Sequence, residues 1–314
     1  MADNVIGRLA ESFAYLATVS DSEALRQNLL GIEVRLRELS VVPPQLGCLY
    51  LQIVAAVESG EETAGVQASE QLLEILSGPW ELAIARYGRD ELGRFYENFS
   101  DILFDSSYGN QTISEPTEPT WLESKDHFER ALELIRVFDP TVYQELETFW
   151  SRITIGVANP DSDKAKFGGV TSLILWGGTF ANGAYYDSEI KAAECLVHEI
   201  THALLFAIGC DEPLVLNPPE ELFGSPLRKD LRPMDGTFHA TLVCARVAEF
   251  YSILRGSGAD IEVDDETLIQ CRKANAEKFQ QGYATVEEFG KISPLGKDLL
   301  EQARARLQVL ENEG

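Results

Sequence analysis

At 314 residues the chain is long enough for one large domain or two moderate ones, with ample material for a buried core. Hydrophobic residues at 45% and charged residues at 25% are the proportions of a soluble globular protein. Lys and Arg number 26 against 51 Asp and Glu, a formal net charge of -25. That argues against nucleic-acid partners and against docking on an anionic membrane, because both need a basic surface.

The opening residues, MADNVIGRLAESFAYLATVS, hold no basic stretch leading into an apolar core, so no secretory signal is expected. SEALRQNLLGIEVRLREL places apolar residues three and four apart with charges between them, the pattern of an amphipathic helix. VVPPQ interrupts it. LGCLYLQIVAAVES resumes with a more buried character, though it is too short to span a bilayer. ASEQLLEILSGPWELAIARYG continues the helical pattern, punctuated by Gly78-Pro79. Residues 1–103 are therefore expected to be a helical region, followed by a Ser-, Thr-, Gly- and Pro-rich linker, FDSSYGNQTISEPTEPT, at 104–120.

Residues 121–314 form the second region, a reading that also allows one continuous domain. DHFERALELIRVF and DPTVYQELETFW are helical, with Asp139 as a cap and Pro140 in the first turn. The texture then changes: RITIGVAN and VTSLILW carry β-branched and aromatic residues in short runs, the signature of strands. GGTFANGAYYDS leads into an apolar helix containing ECLVHEITHALLFAIG. A polar, proline-rich loop, CDEPLVLNPPEELFGSPLRKDLRPMDG, separates it from a second apolar helix, TFHATLVCARVAEFYSILRG, and two or three amphipathic helices follow. The expected fold is mainly α with a small β element, an α+β arrangement. Cys48, Cys195, Cys210, Cys244 and Cys271 are scattered without a C-x-x-C pair and read as reduced thiols in a cytoplasmic protein.

His198 and His202 stand four residues apart, so on a helix they share one face with β-carbons about 5–6 Å apart. With Glu199 they make H-E-x-x-H, and Ile190, Ala193, Val197, Ile200, Leu204 and Ile208 surround them as the apolar positions of that helix. The alternative, two core histidines and an incidental acid, requires an expensive burial of polar groups without purpose. A catalytic metal site usually takes a third protein ligand. Of the remaining histidines, His127 lies far upstream on an ordinary amphipathic helix, whereas His239 lies 37 residues after His202 near the start of the next apolar helix. Glu249, ten residues further on, is the rival, and would give a two-histidine, one-carboxylate set suited to non-haem iron. Glu199 has two candidate roles: general base toward metal-bound water in a hydrolase, or an orienting group in an oxidative enzyme.

Between the motif and His239 a basic cluster interrupts an acidic chain: SPLRKDLRPMDGTFH holds Arg228, Lys229 and Arg232. Arg246 lies seven residues, or two turns, beyond His239 on the same helical face. Guanidinium groups beside a metal cleft suit an anionic small molecule, because arginine matches a carboxylate bidentately. A solvated loop and an ordinary salt bridge are the competing explanations.

VHEITHALL followed by SPLRKDLRPMDGTFHATLVCARVAEF resembles the HExxH-containing peptide β-hydroxylase family associated with ribosomally made, modified peptides. Its pattern is an HExxH helix, a proline- and arginine-rich loop ending in R-P, a glycine, and a histidine opening a helix. Pro226, Arg228, Arg232, Pro233, Gly236 and His239 match that order, within a similarity covering roughly residues 150–255. The resemblance implies an iron(II)- and 2-oxoglutarate-dependent oxygenase, built without a double-stranded β-helix, that hydroxylates a side-chain β-carbon of a precursor peptide. It implies His198, His202 and His239 as iron ligands and Arg228 or Arg232 as the residue holding the distal carboxylate of 2-oxoglutarate; Arg246 is added on helical spacing alone. The peptide would add as a strand to an exposed edge such as VTSLILW. Two alternatives stand beside this: a zinc metallopeptidase with Glu199 as general base, and a non-catalytic, peptide-binding helical protein.

Overall fold

The computed structural model describes residues 2–88, 104–105, 109–110, 113–158, 168–257 and 263–312. It is mainly helical with small sheets, the α+β class expected. Its contacts divide it into two units, Met1–Glu129 with Gln144–Asp187, and Arg130–Tyr143 with Ser188–Gly314. The expected linker at 104–120 lies inside the first unit, and its residues 106–108 and 111–112 lie outside the described residues. Among the described residues no helix is long and apolar enough to cross a membrane.

In the first unit, α1 (Ala2–Val19), α2 (Glu23–Glu38), α3 (Gln45–Ser59) and α4 (Glu62–Leu76) follow the helical periodicity. Leu25, Leu29, Ile32 and Leu36 of α2 are buried on one stripe, and Ser22 caps the helix by accepting from the Leu25 amide. Gly60 closes α3 with φ of 73°, a left-handed conformation that favours glycine. The helical expectation then fails. Residues Ala83–Arg86, inside what reads as helix, form strand β1, while residues 89–103 of that region lie outside the described residues. After β2 (Phe104–Asp105), β3 (Gly109–Asn110) and β4 (Ile113–Ser114) come α5 (Glu118–Phe138) and α6 (Pro140–Phe149), then β5 (Arg152–Ala158), β6 (Gly169–Val170) and β7 (Gly178–Asn182). β1 and β7 flank β5 in parallel, β6 runs antiparallel on β7, and β4 adds antiparallel to the far end of β5.

VTSLILW is not an edge strand. Only Val170 pairs, and Leu173–Leu175 turn into a short 3-10 helix whose start is capped by the Ser172 hydroxyl. The fully buried strand is the glycine-bearing GTFAN segment of β7. Glycine there reports close packing rather than a loop: a β-carbon at Gly178 would sit 2.8 Å from the Arg152 carbonyl oxygen and 3.1 Å from Pro44.

In the second unit the motif lies on α7 (Glu189–Ile208), capped by Ser188. The segment expected to be a proline-rich loop contains a two-stranded hairpin, β8 (Leu222–Ser225) and β9 (Arg228–Pro233), with an irregular register between Phe223 and Ser225. β9 runs straight into α8 (Met234–Gly256), so the basic strand and the His239 helix are one continuous piece. α9 (Asp265–Phe289) and α10 (Pro294–Asn312) follow, and Arg130–Tyr143, the end of α5 and the start of α6, belongs to the same unit. Phe238 and Leu242 of α8, Phe279 and Val286 of α9, Leu300 and Leu307 of α10 and Leu205 of α7 share one core. The stretch before the hairpin is tied to the end of α9: the Leu216 amide donates to the Lys291 carbonyl at 2.7 Å, and Asn217 exchanges hydrogen bonds with Lys291 and Phe289.

Candidate functional site

The seven residues assigned to the site from the sequence, His198, Glu199, His202, Arg228, Arg232, His239 and Arg246, all belong to the second unit. His198 and His202 fall on one stripe of α7, as four-residue spacing requires, with ring centroids 5.1 Å apart. His239, in the first turns of α8, stacks on His202 with centroids 5.6 Å apart and planes 21° apart, and Phe206 packs against its ring. Nε2 of His202 is 3.3 Å from Nε2 of His198, and Nδ1 of His202 is 3.3 Å from Nδ1 of His239. A neutral imidazole carries one N–H and one lone pair. His202 therefore donates on one side and accepts on the other, and the three rings form a short hydrogen-bonded chain.

Burial grades along that chain. The His198 side chain is 31% exposed, that of His239 only 7%. Burial pushes His239 down to about 4. His202 falls to about 3, through burial first and then the charges of His239 and Arg228. His198 falls to about 3, through burial first and then the charges of His202, Arg228 and Lys278. All three imidazoles are neutral at physiological pH, the state in which a histidine ligates a metal.

The nitrogen spacing suits one ion for two of the three. Donors about 2.1 Å from an ion and 90–109° apart are about 3.0–3.4 Å from each other, and the Nε2 atoms of His198 and His202 are spaced that way. His239 faces the opposite nitrogen of His202, so the three rings are gathered but not aimed at one point. Among the described residues no group of three His, Cys, Asp or Glu side chains is arranged around a common point. Rotation of the His202 or His239 side chain is what would bring the third nitrogen in.

Glu199 is buried, 4% exposed, with its carboxylate 3.9 Å from Nε2 of His198. Burial raises the carboxyl of Asp235, which lies one turn before His239 and 3.9 Å from its Nε2. That neighbour was findable from four-residue spacing alone. Arg228 is close enough for its charge to act on both His198 and His202. Arg232, two residues of the same strand away from Asp230, sits 3.6 Å from that carboxylate. Arg246 is half-buried on α8, with Nη1 shielded from solvent. Glu249 is engaged elsewhere, 3.6 Å from Arg306 of α10, which sets it apart from the imidazoles as a third ligand. His127, in the first unit, sits with Nδ1 3.2 Å from the Tyr186 carbonyl oxygen, an ordinary structural contact.

Lys278 of α9 is the group that no local pattern announced: its charge acts on His198 and on Cys244. Beneath the imidazoles, on the motif helix one turn before His198, Glu194 accepts a 2.6 Å hydrogen bond from the Tyr251 hydroxyl of α8, tying the two histidine-bearing helices together.

No protein-family model matches this chain, and no curated protein is similar to it in sequence.

Proposed function

We propose that the chain is an iron(II)- and 2-oxoglutarate-dependent oxygenase that hydroxylates a side-chain β-carbon in a ribosomally made peptide. The observation that carries the reading is the cluster of three neutral imidazoles, each within 3.3 Å of its neighbour, with the cation of Arg228 acting on two of them. His198 and His202 would hold the ion, with His239 completing the set. When bound, iron(II) with 2-oxoglutarate and dioxygen supplies an oxidant able to hydroxylate an unactivated carbon. The chain's own residues bind, orient and shield. Arg228 offers a bidentate donor to a carboxylate beside the imidazoles. The Tyr251–Glu194 bond holds α7 and α8 in register, so that the histidines of the two helices stay at a fixed spacing. Phe206 and the buried wall of α8 keep water from the inner side. A precursor peptide is the proposed partner, without nucleic acid or membrane. The cytoplasm is the proposed location, on the strength of five cysteines that are odd in number, scattered and without a C-x-x-C pair.

The zinc metallopeptidase reading keeps one observation in its favour, the buried Glu199 carboxylate 3.9 Å from His198 Nε2. In that reading Glu199 takes the proton of the attacking water. One experiment separates the two. Protein prepared without oxygen and given iron(II) and 2-oxoglutarate should develop a weak visible charge-transfer band, lost in His202→Ala. Absence of the band, with one zinc per chain and Glu199-dependent cleavage of a generic peptide, would overturn the oxygenase reading.

A further inference from the structure

The basic residues of the sequence motif are not the only cations whose charge reaches the imidazoles, since that of Lys278 acts on His198. Lys278 is half-buried on α9 and makes no hydrogen bond or ion pair among the described residues. In a chain with 51 carboxylates and 26 basic side chains, a half-buried lysine that forms no ion pair is out of keeping with its surroundings. Other lysines of the same unit pair in the usual way: Lys273 lies 4.0 Å from Glu277 and Lys291 lies 3.7 Å from Glu221.

Packing explains how Lys278 comes to the site. One turn further along α9, Gly282 makes the close approach: a β-carbon there would overlap Thr241 Oγ1 and sit 3.0 Å from Pro226. Thr241 follows His239 by two residues on α8, and Pro226 lies in the turn of the hairpin that carries Arg228. Residues 278 and 282 share a helical face about 6 Å apart. The contact at Gly282 therefore sets Lys278 on the side of α9 that faces both α8 and the basic hairpin. The alternating burial of β9 puts Arg228, Asp230 and Arg232 on its inner face, and Lys229 and Leu231 on its outer one. Arg232 is beside Asp230. Arg228 and Lys278 are thus the two cations whose charges reach His198.

We propose that Lys278 is a carboxylate-binding residue of this site, acting with Arg228 as a two-point clamp for a small dicarboxylate. The identity of that dicarboxylate as 2-oxoglutarate rests on the oxygenase reading; the clamp itself does not. An arginine supplies a planar fork and a lysine a point charge on a flexible stem, so the pair holds an anion while the lysine adapts to its length.

The test is anion binding by the full chain, metal-free and zinc-loaded, measured by calorimetry with 2-oxoglutarate, succinate and inorganic phosphate as probes. Loss of one charge-assisted hydrogen bond predicts that Lys278→Gln weakens binding on the order of 10-fold to 100-fold. Lys278→Arg should stay near wild type, and Lys273→Gln, which removes an exposed charge on the same helix, should change nothing. As a readout without substitution, the dicarboxylate should slow amine-reactive labelling of Lys278 in the wild-type chain, followed by mass spectrometry. If 2-oxoglutarate binds equally to wild type and Lys278→Gln and leaves the labelling rate unchanged, the clamp is refuted while the oxygenase reading stands. If succinate but not 2-oxoglutarate binds, in a Lys278-dependent way, the clamp holds and the oxygenase reading fails; binding of phosphate alone refutes the dicarboxylate clamp. Binding of none of the three probes refutes the clamp.

Discussion

Acidification should destabilise the metal-free chain steeply, because its folded state holds neutral imidazoles that the unfolded state lets protonate. An unfolded histidine titrates near about 6.5, whereas His239 in the fold is pushed down to about 4 and His202 to about 3. Below the unfolded value the unfolded chain binds more protons than the native one, so stability falls with pH. The contribution is fully present above about pH 6.5 and is lost as the pH drops toward the folded-state values of about 4 and about 3. Between pH 7 and 5 each such group costs about 2 kcal/mol, from about 1.4 kcal/mol per pH unit and a gradual onset. His202 and His239 together cost about 4 kcal/mol, and His198, with a partly exposed side chain, adds less than a full share. The loss is a large fraction of the roughly 5–15 kcal/mol that holds a typical domain folded. Urea denaturation followed by circular dichroism at half-unit pH steps reads it directly. His239→Gln, though less stable or more stable overall, should reduce the slope between pH 6 and 5 by about 1.4 kcal/mol per unit. Equal slopes for the two proteins would mean that His239 is not held neutral, and the buried-cluster geometry would be wrong.

Gly282→Ala should cost about 1–3 kcal/mol by overpacking, since its β-carbon would overlap Thr241 Oγ1 and crowd Pro226; thermal melts measure the loss, and a neutral result would deny the close approach of α9 to the hairpin. Arg228→Gln should raise the titration of His198 and His202 in NMR, because its charge helps to depress both, while Arg232→Gln should leave them in place; equal shifts would reassign the nearer guanidinium. Zinc at 100 times its dissociation constant should stabilise the fold by about 2.7 kcal/mol and do so far less in His198→Ala, read from midpoints of denaturation with and without chelator.

Local rules carried part of the architecture. Four-residue spacing of apolar residues foretold α2 and α7, and with them the shared face of His198 and His202, since a helix places such residues together whatever surrounds it. The Asp139 cap was equally local: its carboxylate accepts from the Val142 amide at 3.1 Å, one turn into α6. Strands were less legible. Ala83–Arg86 lies in a run that reads as helix, yet it pairs with β5, whose partner residues are some 70 positions away in the chain. GGTFANGAYYDS reads only as a lead into the motif helix, yet its Gly177 and Gly178 flank and open a buried strand, where close approach to Val42, Pro44 and Arg152 selects glycine. The proline-rich stretch before α8 hid a hairpin for a related reason, its pairing being interrupted at Phe223/Ser225.

What the sequence determined by itself was the pair of imidazoles one turn apart, the acid between them, and a basic segment leading into a third histidine. These are properties of spacing along one element, and the backbone enforces them without help. Tertiary structure alone decided that the His239 ring meets His202 on the side opposite His198, that Glu249 turns to Arg306, and that Lys278 arrives from a later helix. Those outcomes depend on how α8 and α9 pack at Gly282 and along their shared core, and helix packing is set by the fit of whole surfaces, which no single stretch of sequence contains.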